Sequence, residues 1–326
     1  MRQMNKILAI GLLLIILVGV VVICLGIGPT GISYKYLGGV DNDTESKIIY
    51  EVRLPRILGA LLVGLGLAVA GAVLQAILRN PLAEPYTLGI SGGAVLGVAL
   101  CLIVPFLSVA RFSMPIMAFI GALVSVIIVY AITSRHRFSV SSLVLSGVIL
   151  SFICSSLVLL IFSVSKPTEI QSMLFFLMGS FATIDYPIIK VITIPLIAGV
   201  LILVFFSRDI DVLTLGDEKA SHLGIAPHRV RAFLFIITSL ITGCCVAVSG
   251  MIGFVGLMMP HIMRSIVGPK SRNLFIASAL SGAIFLVVSD TLARTVIAPA
   301  ELPVGVITGI VGGVFFIGLL INAKNI

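Results

Sequence analysis

Charge is scarce in this chain: 10% of its 326 residues are Asp, Glu, Lys or Arg, and tryptophan is absent. Soluble domains carry about 25% charged residues, so an aqueous surface is excluded for most of the length. The signatures of enzymatic sites are missing too. No H-E-x-x-H, G-x-S-x-G or G-x-x-x-x-G-K-[ST] occurs, and GPKS at 268–271 lacks the glycine spacing with which backbone amides surround phosphates. Nucleotide hydrolysis by this chain is not expected. The five cysteines (Cys24, Cys101, Cys154, Cys244 and Cys245) lie in apolar runs without C-x-x-C spacing. That argues against a metal cage or a disulfide framework and leaves them as small core residues. No cofactor or metal is expected in the chain.

What is present is apolar length. Hydrophobic residues make up 59% of the chain, and its mean hydropathy is +1.25. The run from Ile7 to Gly28 follows Arg2 and Lys6. It exceeds the roughly 7 to 15 residues of a secretory h-region and reads as a retained transmembrane helix. A span needs about 20 apolar residues, and ten candidates follow: 7–28, 57–78, 86–106, 114–133, 142–163, 188–206, 232–250, 253–267, 274–293 and 303–322. The chain is therefore expected to be an all-α polytopic integral membrane protein of about ten helices, a single transmembrane domain over 1–326. Between 232 and 267, Gly250, Gly253, Gly256 and Pro260 break what reads as either one long helix or two short ones.

The net charge of +8 could suggest nucleic acid, but Lys and Arg fall in short segments between the runs, as the positive-inside rule expects. Both termini are then cytoplasmic. Arg79, Arg135, Arg137, Arg208, Lys219, Arg229, Arg231, Lys270, Arg272 and Lys324 fall inside, and most of the acidic stretch DNDTESKIIYE (41–51) falls outside. Glycines in GALLVGLGLAVAG (59–71) and GIVGGVFFIG (309–318) suit close helix packing. AVAGAVLQAI (68–77) and VAVSGMIGFV (246–255) echo one another, which suggests an inverted internal repeat.

Ionisable residues at mid-membrane would mark ion relays. Asp185, Lys190, Asp290, Arg294 and Glu301 instead fall near predicted outer helix ends, and His261 in MMPHIMR reads as a packed histidine. A secondary carrier is thereby disfavoured, as is a membrane-embedded enzyme, for want of convergent nucleophile, base or metal ligands.

Three segments carry functional weight. In EVRLPR (51–56), Arg53 and Arg56 lie three apart on one helix face. They suit either headgroup contact or a docking patch for an acidic partner, to which Arg294 could add. LTLGDEKASHLGIAPHRVRA (213–232) predicts a helix of about two turns from Asp217 to Gly224. It is too short to stand alone. RNPLAEP (79–85) and SRHRFSVSSLVLSG (134–147) are inner connections whose Asn80, Leu82, Ser141 and Ser142 could narrow a cytoplasmic mouth, although turn chemistry suffices for Asn-Pro. Arg79 reads as a topological charge. Glu84 stands between a loop contact and a link toward a partner.

RLPRILGALLVGLGLAVAGAVLQAILRNPLAEPYTLGISGGA (53–94), LGDEKASHLGI (215–225), GMIGFVGLMMPHIMR (250–264) and DTLAR followed by PAELPVGVITGIVGGVFF (290–316) together resemble the FecCD permease family. These are membrane subunits of type II ABC importers, and the likeness runs in order over nearly the whole chain. It implies a permease homodimer, or a pair of homologous permeases, in the bacterial cytoplasmic membrane. It also implies two ATP-binding cassette subunits that bind ATP and Mg, an extracytoplasmic binding protein, and no nucleic acid. Arg53, Arg56 and Arg294 match its binding-protein docking positions. Gly216, Asp217, Glu218, Ala220, Leu223 and Gly224 match the ATPase coupling helix. Asn80 and Leu82 match a cytoplasmic gate loop, with Ser141 and Ser142 in the turn before the fifth helix. The cargo implied is an iron-siderophore or haem, with vitamin B12 or molybdate as alternatives.

Overall fold

The computed structural model describes residues 6–28, 44–104, 106 and 112–322. Arg2, Lys324, Asp41 and Asp43 of the expected charge pattern lie outside the described residues. The described chain is helical, with no strand. Helix α1 (Lys6–Gly26) is followed by α2 (Thr44–Lys47), which runs through a π-turn (Ile48–Arg53) into α3 (Leu54–Ile77). After a 3-10 turn (Pro85–Leu88) come α4 (Ile90–Ile103), α5 (Ser113–Ser134), α6 (Val140–Val164), α7 (Pro167–Met178) and α8 (Tyr186–Phe205). Then follow α9 (Ser207–Thr214), α10 (Asp217–His222), α11 (Pro227–Ser249), α12 (Val255–Val267), α13 (Ser271–Thr295) and α14 (Val304–Asn322).

Among the described residues, eight helices are long and apolar enough to cross a membrane: α1, the α2–α3 rod from Glu45, α5, α6, α8, α11, α13 and α14. With the shorter apolar α4 and α12 they occupy the ten predicted runs. The ambiguous stretch 232–267 is two helices, α11 and α12, parted at Gly250–Phe254. Besides α2, which extends the α3 rod, two of the described helices, α7 and α9, were not predicted. The start of α7 is set by Pro167 in its first turn and by Glu169, whose carboxylate accepts from the Lys166 N–H at 3.0 Å. Helix α9 is short and has charged residues among its apolar ones.

Helix α3 is the buried axis of the bundle. Its residues are buried nearly all round, the pattern of a helix enclosed by others. It runs antiparallel to α13, with Gly64 against the backbone of Gly282, and Gly71 lies on the backbone of Gly256 at the start of α12. A methyl at either glycine would overlap backbone atoms, so these glycines permit the close approach that lipid-embedded helices use for van der Waals contact. The second glycine run behaves differently. In α14, Gly312 meets the Phe254 ring, but Gly309, Gly313 and Gly318 meet nothing within 4 Å. Only the first run packs as expected within the chain.

The sequence echo does not mark equivalent structure. Residues 68–77 are continuous helix in α3, whereas 246–255 comprise the end of α11, the break and the first residue of α12.

Candidate functional site

Charged groups gather at both ends of α3. At its N-terminal end Arg56 donates from Nε to Asp290 Oδ1 at 2.8 Å and from Nη1 to Glu301 Oε2 at 2.8 Å. Arg294 Nε lies 3.2 Å from Asp290 Oδ2. Arg53 closes the C-terminal end of α1, donating to the carbonyls of Leu25 and Gly26 at 2.9 and 3.0 Å, the helix pole that favours a cation. The structure thus brings Arg56 and Arg294 together around Asp290. All three arginines are buried, at 2–4% exposure, and do not form the open patch expected of them. Asp290, near the end of α13 as expected, is fully buried there. Within the cluster the carboxylate of Glu301, 40% exposed, is the group that reaches the surface.

At the other end of α3, Asp217 begins α10 and is the acceptor for two arginines. Arg231, buried in the first turns of α11, donates to Asp217 Oδ1 at 2.7 Å and to the carbonyl of Phe138 at 2.9 Å. Arg79 is ion-paired to the same Asp217 oxygen and donates to the carbonyl of Leu213 at 3.2 Å. Arg79 is therefore more than a topological charge: it joins RNPLAEP to α10. The Arg231 hydrogen bond, with Arg79 beside it, holds the Asp217 carboxyl below the usual carboxylate range. Helix α10 is shorter than predicted, with Leu223 and Gly224 beyond its end. Ala220 is its buried contact, while Glu218, Lys219 and Leu223 are exposed. Asp211 of α9 accepts from the Ser271 N–H at 2.9 Å and so ties this region to the start of α13.

RNPLAEP leads from α10 into the bundle interior. Asn80 Oδ1 accepts from the Leu82 N–H at 2.9 Å in a local turn, and Leu82 is 62% exposed. Beyond it the chain turns inward: Glu84 accepts from the Phe254 N–H at 2.6 Å, and the Tyr86 hydroxyl accepts from the Ile252 N–H at 3.1 Å. Gln75 donates to the carbonyls of Gly256 and Leu257 and accepts from Arg264. The open backbone between α11 and α12 is thus satisfied by side chains, the condition for irregular backbone within a bundle. Were each apolar run a full crossing, 79–85 and 250–253 would lie at opposite faces of the membrane. The structure joins them, because α4 and α12, with 14 and 13 residues, extend only about 20 Å against a hydrocarbon core of about 30 Å. Glu84 is accordingly a loop contact, its carboxylate on the Phe254 backbone.

Ser141 and Ser142 stand in the first turn of α6 rather than in a turn before it, and Ser139 caps that helix by accepting from the Ser142 N–H at 3.3 Å. Helix α6 meets the RNPLAEP region where Gly147 lies against the backbone of Leu88. His261 packs beside the rings of Phe315 and Phe316, at 6.2 and 6.1 Å. Among the described residues no group of three or more His, Cys, Asp or Glu is placed to hold a metal. A cavity of about 750 Å³ lies between α7, the ends of α5, α8 and α11, and residues 301–303, with Phe175, Phe176 and Met114 among its apolar walls and Ser172, Ser249 and Asp185 among its polar ones.

The partners of Asp217 and Glu84 escaped sequence reasoning. The available signals were a glutamine, Gln75, inside an apolar run and an arginine, Arg231, at the edge of another, since each needs a polar partner once buried.

A buried axial helix, a jacket of apolar helices and a short helix tied on at one end together define a polytopic membrane protein. The model of the FecCD transport family matches residues 12–322, and the chain belongs to that family. It is 35% identical to the hemin transport system permease protein HmuU of Yersinia pestis over 98% of this chain and 96% of that one. It is 38% identical to the Fe(3+)-citrate import system permease protein YfmE of Bacillus subtilis over the same shares. A solved inward-facing structure of a metal-chelate type ABC transporter superposes with a TM-score of 0.87 at 32% identity, covering 95% of this chain and 98% of that one. The chain is thus a multi-pass permease of that family, whose relatives are named as permeases for hemin, Fe(3+)-citrate and vitamin B12 import.

Proposed function

We propose that this chain forms the pathway of an ATP-driven importer in the bacterial cytoplasmic membrane, as a homodimer with both termini inside, and that its cargo is an iron-siderophore or haem. Two ATP-binding cassette subunits, which hold ATP and Mg, engage α10. An extracytoplasmic binding protein selects the cargo and docks at the end bearing Arg53, Arg56 and Arg294. The observation that carries this reading is α10 itself: a six-residue helix with an exposed face, anchored through Asp217 to Arg79 and Arg231. Such a helix is not stable alone, and here its anchors lead to both candidate gate segments. Arg79 heads the segment of Asn80 and Leu82, and Arg231 holds the corner at Phe138 that precedes Ser141 and Ser142.

Closure of the ATPase dimer would move α10, and the two arginines would pass that displacement to the gate. Cargo need bind only weakly along the way, since a conducting pathway must also release it. The test is the reconstituted complex. Titration of the cognate binding protein with ferric siderophores, haem, cobalamin and molybdate identifies the cargo; saturation by cobalamin or molybdate alone would replace the chelate assignment. With that cargo, Leu223→Asp should abolish ATP-driven uptake while the permease remains folded. Normal uptake by that variant would sink the coupling role of α10.

A further inference from the structure

We propose that the cleft between the last turns of α5 and the first half of α11 binds an anionic phospholipid, its phosphate between Arg137 and Arg229 and an acyl chain along Tyr130, Phe233 and Ile236. The cleft encloses about 400 Å³, and no carboxylate lines it. Among the described residues, neither of its guanidiniums has an ion-pair partner. This sets them apart from Arg79 and Arg231 at the same end of the bundle, both held by Asp217.

The cleft is graded in polarity. Arg137, Arg229 and His228 stand at its mouth, where α5 ends and α11 begins, and the walls turn apolar inward. Ile236 is nine residues from the start of α11, about 13 Å at 1.5 Å per residue, which carries the lining from headgroup level into the acyl region. Its flank is open to lipid. The Phe233 ring lies tilted against Phe206 at 4.9 Å, and Phe206 meets Phe205 edge-on at 5.7 Å, while Phe205 is 81% exposed and Tyr130 39%. Aromatic side chains gather at this depth of membrane proteins, and basic pockets between helices there take phosphate headgroups. A soluble partner could meet the two arginines but would leave the apolar shaft unfilled, and a free phosphate ion has no use for it.

The backbone at the mouth is unusual. Arg137 and Phe138, neither a glycine, both adopt positive φ, 50° and 49°, a conformation that persists only where its surroundings demand it. It leaves Arg137 exposed and Phe138 buried, with the Phe138 carbonyl on Arg231. A phosphate at Arg137 thus sits one residue from the anchor of α10. The lipid proposal itself stands whether or not the transport reading holds.

Because the chain has no tryptophan, Phe233→Trp provides a single indole at the cleft. The full-length variant is reconstituted into phosphatidylcholine vesicles containing a small fraction of phosphatidylglycerol. Bromine is carried on the acyl chains of either the phosphatidylglycerol or an equal fraction of the phosphatidylcholine. Brominated phosphatidylglycerol should quench the indole several-fold more than its mole fraction predicts, and brominated phosphatidylcholine should not. Adding Arg137→Asn, a residue that tolerates positive φ, and Arg229→Gln should return quenching to the mole-fraction value, the two cations together carrying the several-fold preference. Arg229→Gln alone, exposed in the first turn of α11, should give the intermediate loss and does not disturb the strained corner. Equal quenching by the two brominated lipids, or a preference unchanged in either variant, overturns the proposal. So does displacement of the phosphatidylglycerol signal by millimolar inorganic phosphate, which would mark a free-anion site.

Discussion

Asp217 serves two cations of unequal burial: the Arg231 side chain is 2% exposed, that of Arg79 37%. Removing the partner of a fully buried charge costs about 3–5 kcal/mol. Asp217 is itself half exposed, and solvent screening reduces the expected cost of Asp217→Asn to about 1–2 kcal/mol. Thermal unfolding of the detergent-solubilised permease should show a lower midpoint for the variant at pH 7. Since the folded carboxyl is held below its ordinary value, its contribution is present above the unfolded pKa, near 4, and is lost as pH falls through the folded one. The two midpoints should therefore converge below about pH 4. A gap that does not narrow there would assign the loss to something other than charge. Asp217 was legible as an acid at a helix start. Its partners were not, because they lie 14 and 138 positions away and no local pattern links them.

At the scale of elements, apolar length was the legible quantity, because bilayer thickness sets it for every span. A count of runs does not reveal which of them fall short of a full crossing, and so it does not reveal that Glu84 of RNPLAEP and Phe254 of the α11–α12 break are in contact. Nor does a glycine reveal from sequence alone which surface it meets. The two glycine runs make the point testable. Gly71→Ala places a methyl on the Gly256 backbone, and overpacking of that kind costs about 1–3 kcal/mol. Gly313→Ala meets nothing within the chain. Size-exclusion chromatography after heating should show Gly71→Ala aggregating at a lower temperature than the parent and Gly313→Ala matching it. The reverse order would contradict the packing described for α3.

Over the whole molecule, the two charged clusters stand at opposite ends of α3, whose 24 residues span about 36 Å. At the end proposed for docking, Glu301 already occupies Arg56 with both carboxylate oxygens, at 3.1 and 2.8 Å. An acidic binding-protein lobe that recognises Arg56 must compete with it. Glu301→Gln should accordingly tighten binding-protein association at low salt by about fivefold, the size of one modest charge interaction; an unchanged or weakened association would show that Arg56 is not the docking contact. The seven residues of RNPLAEP reach from one cluster toward the centre, bonded to Asp217 through Arg79 and to the Phe254 backbone through Glu84. A chain extends by at most about 3.5 Å per residue, so the five steps from Arg79 to Glu84 can stretch to about 17 Å. The segment is thus a tether of fixed length, and it limits how far α10 can travel from the centre of the bundle before one of those two bonds must break.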